Sequence, residues 1–503
     1  MDMMLKGFTE VLTPSSLGLL LAGVVFGNII GFLPGLGGVF ALAILIPFIY
    51  KLEPFDAFAL LLGTHAVINT GGAITSILIN CPGEAACAAT TFDGYPMTRN
   101  GKAGVALGAA FTSSALGGIF AAAFLLVMIP IIRPIVMSFG PPEIFMLIIL
   151  GISYIASLGS GSTLEAVISG IIGLMLAMVG FEPQTGDARY NFGTLYLFDG
   201  IDLVPLTVGL FAIGEMISVG TMKGQGLART IETVGSLADL WEGITVCFRK
   251  WWLILRCSFI GAAIGVIPGM GGTVSSFITY GFAKQVSKHP ETFGKGNVEG
   301  VIAPESGNNA KEGGSLFSAL SFGLPSGAAM VIILAALMVL GIKPGPEMIS
   351  THLDLFWTLV VSLIVGNFIS STGCILATRA LARITFIKGS VLVTIILLLV
   401  ILGAYGVAND IRDVFLAFAF GGIGYLMKSY DYSRVTFTIG FVLGDYAERY
   451  FLVSVASLGP EFLLSSPIAL VMLILTVLGL LGRWGKNLSS RFFQRLVSKE
   501  EED

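Results

Sequence analysis

Glu84 and Glu305 are the two carboxylates best placed to do chemistry in this chain, each beside a backbone break in apolar surroundings. Glu84 follows the turn Asn80-Cys81-Pro82-Gly83. Glu305 belongs to the polar block Ala303-Pro304-Glu305-Ser306-Gly307-Asn308-Asn309. An ionisable group at membrane depth is costly and marks a functional site by default; the plainer reading is a loop acid facing water. Around these acids cluster small neutral polar residues: Asn69, Thr70, Thr75, Ser76, Asn80, Thr90, Thr91, Asn308, Asn309, Ser315, Ser318, Ser321 and Ser326. They can donate to a carboxylate while the backbone approaches closely. Taken singly, each is explained as well by helix packing through Gly, Ser and Thr. For the clustered turns 80–84 and 323–327 we favour the functional reading. Glu143, Glu165 and Glu215 lie near the ends of apolar runs, where an interface position explains them. His65 reads as a hydrogen-bonded structural histidine, and His289 and His352 as loop residues. With three histidines and neither HExxH nor GxSxG, hydrolase or metalloprotease chemistry lacks its parts.

The elements that would position these residues repeat. Gly31-Phe32-Leu33-Pro34-Gly35-Leu36-Gly37-Gly38 returns as Gly265-Val266-Ile267-Pro268-Gly269-Met270-Gly271-Gly272, 234 residues later. Proline removes a backbone donor and glycine resists helix, so both copies should interrupt helices. Next comes Asn69-Thr70-Gly71-Gly72 in one half and Glu312-Gly313-Gly314-Ser315 in the other. A short apolar stretch follows each, ending at Cys81-Pro82-Gly83-Glu84 and at Gly323-Leu324-Pro325-Ser326-Gly327. Four matched features in one order point to internal duplication. Breaks at matched positions of two halves are the sequence-level pointer to a transporter's binding site.

Composition sets the solvent. The 503 residues are 55% hydrophobic and 12% charged, half the charge of a soluble domain, and the mean hydropathy is +0.88. At ~20 residues per span, roughly 11 to 13 spanning or half-spanning helices are expected. Short alternating segments, the sign of a β-barrel, are absent. The expected fold is all-α and polytopic, in two repeats: 1–220, then a polar connector 221–250, a second repeat 251–482, and a tail 483–503 expected to be cytoplasmic. Charged loops of the two halves are antisymmetric under the preference of Lys and Arg for the cytoplasm, which suits inverted repeats. Net charge is −4 with no basic run suited to nucleic acid. The five cysteines form no CxxC pair and read as small packing residues. The N-terminus lacks the basic region and cleavage site of a secretory signal, so the first helix is expected to stay in the mature protein.

The stretches Ala73 to Glu84 and Ser315 to Ala328 are too short to cross ~30 Å of hydrocarbon and fit half-helices or arms of re-entrant hairpins. A helix N-terminus there suits a carboxylate, and an unwound turn offers carbonyls to a sodium ion. The candidate substrate-binding residues are Thr70, Gly71, Gly72, Asn80, Pro82, Gly83, Glu84, Asn308, Asn309, Gly314, Ser315, Pro325, Ser326 and Gly327. The candidate sodium-site residues are Gly35, Gly37, Gly38, Thr75, Glu305, Gly269, Gly271 and Gly272. The glycines among these equally suit close helix crossings. No organic cofactor is called for. A channel or uncoupled facilitator is the alternative to a carrier, separable by saturable, ion-coupled accumulation.

These motifs resemble the large membrane subunit of the bacterial tripartite tricarboxylate transporters, over essentially the whole chain. The resemblance rests on Pro34–Gly38, Asn80–Gly83, the run Phe92-Asp93-Gly94-Tyr95-Pro96-Met97, and Phe293-Gly294-Lys295-Gly296. It continues through Ala303-Pro304-Glu305 with Asn308-Asn309 and through Gly341-Ile342-Lys343-Pro344-Gly345-Pro346. Three positions depart from it: Ser306 and Gly307 where alanines are usual, and Glu84 where a small residue or aspartate is. The resemblance implies sodium-coupled carboxylate import across the inner membrane, of citrate or another tricarboxylate first and a dicarboxylate second. It also implies a small four-helix membrane subunit and a periplasmic substrate-binding protein as partners. By analogy with hairpin-bearing carriers it implies elevator-type motion.

Overall fold

The computed structural model describes residues 2–33, 37–136, 138–158, 163–182, 187–221, 236–381 and 389–478. The connector residues 222–235, the tail 483–503 and the candidate sodium-site residue Gly35 lie outside them. The helices in chain order are α1 (Asp2–Val11), α2 (Pro14–Gly31), α3 (Gly37–Ile49), α4 (Pro54–Ile79), α5 (Thr91–Arg99), α6 (Ala103–Val136), α7 (Pro141–Leu158) and α8 (Thr163–Ala177). A two-residue antiparallel pair, β1 (Gly180–Phe181) and β2 (Ala188–Arg189), follows. Then come α9 (Leu203–Thr207), running through a π-helical stretch Val208–Ile213 into α10 (Gly214–Thr221), α11 (Leu237–Arg249), α12 (Trp251–Val266), α13 (Gly272–Val286), α14 (Glu299–Phe322) and α15 (Ala328–Val339). The chain continues through α16 (Pro346–Thr351), α17 (Leu353–Leu381), α18 (Gly389–Ala408), α19 (Ile411–Ser429) and α20 (Arg434–Leu458).

Four of these helices are long and apolar enough to cross a bilayer: Pro14–Gly31, Pro54–Ile79, Ala103–Ile131 and Leu353–Ala377. Eight shorter apolar helices accompany them among the described residues. The protein is an all-α polytopic membrane protein. Its helices divide into two compact units, Met1–Met137 with Leu203–Tyr425, and Ser138–Asp202 with Leu426–Asp503. Each unit therefore takes one segment from either half of the sequence. In the smaller unit, α20 packs on α7 and α8, and Arg189 pairs both carboxylate oxygens of Glu448 at 2.6 and 2.9 Å.

The larger unit is built around α4 and α14. Every residue from Ala57 to Leu78 is buried, as is every residue from Gly300 to Ser321. A helix enclosed on all sides needs no apolar stripe, and α14 has none. Each central helix is gripped by a glycine-bearing neighbour, α2 on α4 and α12 on α14. A methyl at Gly31 would strike the Ile68 carbonyl and the Gly72 amide; one at Gly265 would strike the Lys311 carbonyl and the Ser315 amide. The contacted residues differ by 243 positions throughout, so the two helix pairs cross in the same register.

Helices end before both PGxGG segments and begin again at their closing glycines, α2 ending at Gly31 with α3 from Gly37, and α12 ending at Val266 with α13 from Gly272. The Gly-Gly pairs behave differently from expectation. The stretches expected as separate half-helices are the C-terminal ends of the continuous helices α4 and α14, which run straight through Gly71-Gly72 and Gly313-Gly314. Close helix packing accounts for this: glycine costs a helix about 1 kcal/mol, and the backbone approach of α2 and α12 offsets it. The real breaks come later, at Asn80 and Gly323.

Candidate functional site

The turns after α4 and α14 bring both halves of the chain to one cavity of about 280 Å³ in the larger unit. Its polar lining comes from His65 and Asn69 on α4, Glu84 after the first turn, and Asn308, Lys311 and Glu312 on α14. Gly271–Thr273, where α13 begins, and Gly327–Met330, where α15 begins, also line it. Val39, Ile68, Ala85 and Ala86 complete the wall.

Two buried charged groups and a histidine meet here. Glu312, only 1% exposed, holds His65 Nε2 at 2.8 Å through Oε2 and the Lys311 ammonium at 2.7 Å through Oε1. His65 is thus hydrogen-bonded across to α14, as a structural histidine should be, and it also faces the cavity. Glu84 lies over the start of α3 and accepts from the Gly38 amide at 2.5 Å. The partial positive charge and free N–H groups of a helix N-terminus are the physical reason a carboxylate rests there. At the matching start of α13 no side chain caps the helix. Asn308 leans over that end: it is 1% exposed, and neither Nδ2 nor Oδ1 has a hydrogen-bond partner.

Of the candidate residues, the structure gathers Glu84, Asn308, Gly271, Gly272 and Gly327 around the cavity, with Gly38 bound to Glu84 and Gly37 beneath its carboxylate. The other described candidates do not line it. Thr70, Gly71 and Gly72 are buried within α4, the glycines against α2. Asn80 is the exposed, left-handed cap of α4. Gly83, after Pro82, packs on Gly31 and Gly72. Asn309 turns to Asn367 on α17 at 3.4 Å. Gly314 meets α12, Ser326 after Pro325 donates to Ser315 at 2.6 Å, and Thr75 donates to the Gly72 carbonyl at 3.2 Å. Glu305 is buried and accepts from Thr90 at 2.6 Å and Ser114 at 3.0 Å. Gly269 turns the break with φ 78°. No group of three or more His, Cys, Asp or Glu side chains with metal-binding geometry occurs among the described residues.

Sequence reasoning passed over Lys311 and Glu312. The available signal was their place: a charged pair directly before a Gly-Gly pair, in a chain where charge is scarce. The Phe92–Met97 and Phe293–Gly296 motifs, whose roles were open, form one clasp. Asp93, fully buried, accepts from the amides of Gly294, Gly296 and Asn297 at 2.8–2.9 Å and from Tyr280 at 2.8 Å.

Residues 17–439 match the sequence profile of the family described as the tripartite tricarboxylate transporter TctA family. The chain belongs to that family. It is a membrane transporter family named for tripartite systems, so further subunits accompany it. An Agrobacterium vitis protein described as "Uncharacterized 52.8 kDa protein in TAR-I ttuC' 3'region" is 33% identical over 447 residues, 88% of each chain. A second from that organism, "Uncharacterized protein in TAR-II ttuC' 3'region", is 32% identical over 190 residues, 38% of this chain and 78% of its own. No solved structure matches the chain. Within this family member, the cavity between the two matched turns is the candidate binding site.

Proposed function

We propose that this protein is the membrane carrier of a secondary-active, sodium-coupled carboxylate importer in the bacterial inner membrane. A soluble binding protein delivers its substrate, and a small four-helix subunit completes the membrane part. The observation that carries the reading is the 280 Å³ cavity where two matched helix-break elements, one from each half, face Asn308, His65 and the charged pair Lys311 and Glu312. That volume lies near the lower end of ligand pockets, about 300–1,000 Å³, and suits a small organic acid. The lining carries two carboxylates against one ammonium, so an anionic substrate enters more favourably with a cation, which is the physical case for coupling. Sequence breaks related by 234 positions support two repeats, the antisymmetric charge of their loops supports opposed orientation, and elevator motion follows by analogy.

The test is uptake of labelled carboxylates into proteoliposomes holding this chain and its small partner. Inward sodium gradient is compared with none, each with and without the binding protein. Saturable accumulation that needs both sodium and the binding protein is expected. Downhill, non-saturating flux would instead make the protein a pore, and uptake driven equally without sodium would remove the coupling ion.

A further inference from the structure

The two halves furnish their matching helix starts differently, and the difference bears on substrate choice. This inference rests on the carboxylate-carrier reading above. The turn Pro82-Gly83-Glu84 corresponds to Pro325-Ser326-Gly327, each residue 243 positions apart. In the first half, Glu84 places its carboxylate on the start of α3, 2.5 Å from the Gly38 amide. A methyl at Gly37 or Gly38 would lie 3.3–3.4 Å from Glu84 Oε2, so the acid sits directly over these glycines. In the second half the corresponding residue is Gly327, which has no side chain to offer the start of α13. Instead that helix end lines the cavity, and the Asn308 amide stands over it: a methyl at Gly272 would lie 2.5 Å from Asn308 Oδ1. Asn308 is 1% exposed with both polar atoms unpartnered. A buried amide without partners is costly, and the Nδ2 donor of one facing a cavity beside an uncapped helix N-terminus is satisfied by an anionic acceptor.

We propose that Glu84 is a built-in occupant of the first half's carboxylate subsite, so that the cavity admits a substrate with a single carboxylate, bound at the start of α13 by Asn308 and backbone amides around Gly272 and Thr273. Lys311 is already engaged by Glu312. A second substrate carboxylate would therefore meet Glu84 where its counterpart helix end is filled. Removing the Glu84 side chain opens that subsite and shifts preference toward dicarboxylates.

Purified full chain in lipid nanodiscs is titrated calorimetrically, with sodium present, against straight-chain monocarboxylates from acetate to hexanoate, benzoate, dicarboxylates from malonate to adipate, and citrate. For the wild-type chain we expect at least one monocarboxylate to bind at least tenfold tighter than any dicarboxylate or citrate. Asn308→Ala should weaken that binding at least tenfold without lowering the melting temperature. Glu84→Gly should gain at least tenfold for a dicarboxylate, and Glu84→Ala, which likewise empties the subsite, serves if the glycine variant fails to fold. Tighter wild-type binding of a dicarboxylate or citrate, or no gain in the folded Glu84 variant, overturns the inference while leaving the carrier reading in place. Absence of binding by every acid, together with absence of uptake in the proteoliposome assay, sinks both.

Discussion

Asn80 and Gly323 end the two central helices in the same left-handed conformation, φ 56° and 69°, although 243 residues separate them. Each is followed by a proline two residues on, and each turn delivers the next residues to the cavity. Left-handed backbone is nearly free for glycine, tolerable for asparagine, and costs other L-residues about 1–2 kcal/mol.

Gly323→Ala should therefore lose about 1 kcal/mol of stability through the backbone alone, because the nearest atom to an added methyl, on Pro344, is 4.0 Å away. Asn80→Gly should be close to neutral. Thermal unfolding in detergent checks both; a Gly323→Ala variant as stable as the wild type would show that the left-handed cap is not what ends α14.

Gly83 and Gly271 make a contrasting pair. A methyl at Gly83 would strike the Gly31 carbonyl and the Gly72 backbone, whereas one at Gly271 meets nothing within 4 Å. Gly83→Ala should destabilise the protein by about 2 kcal/mol or more, an overpacking cost. Gly271→Ala should melt like the wild type but narrow the cavity it lines, lowering substrate affinity. Unfolding and uptake measured on the same samples separate the two effects, and equal melting temperatures for both variants would contradict the packing.

Breaking the Lys311–Glu312 pair is predicted to be worse than removing it. Glu312→Met leaves a buried ammonium and His65 Nε2 without their acceptor, at a cost of about 3–5 kcal/mol. The double change Lys311→Met with Glu312→Met should recover part of that stability, and transport should stay lost in either. A double variant no more stable than the single would show that the pair is held by something other than mutual compensation.

Asp93→Ala removes one acceptor from three amides and the Tyr280 hydroxyl at once. Charge-assisted hydrogen bonds of this kind predict a loss of about 3 kcal/mol or more, and early proteolytic cleavage between α13 and α14. Wild-type protease resistance in the variant would mean the loop holds its shape without the clasp.

Much of the architecture was legible in the residues. Proline and glycine act locally, so Pro34-Gly35 and Pro268-Gly269 announced the α2–α3 and α12–α13 interruptions before any contact was known. The order of matched motifs, the membrane composition and the polar character of the segments holding Glu84 and Asn308 were likewise open to inspection. The Gly-Gly pairs misled because helix propensity is weak and tertiary packing overrides it: α2 at Gly71, α6 at Gly313 and α12 at Gly314 approach too closely for a side chain, and the helix continues.

What only the tertiary structure decided was partnership. His65, Lys311 and Glu312 come together across 247 residues of sequence. Glu305, as buried as they are, settles on two hydroxyls away from the cavity lining. No spacing rule distinguishes these carboxylates, because α14 is enclosed on every side and carries no polar face to read. The sequence alone determined where the backbone must break and how much charge the membrane would tolerate. Which charges meet, and which helix end has no side-chain cap, depended on contacts between segments far apart in the chain.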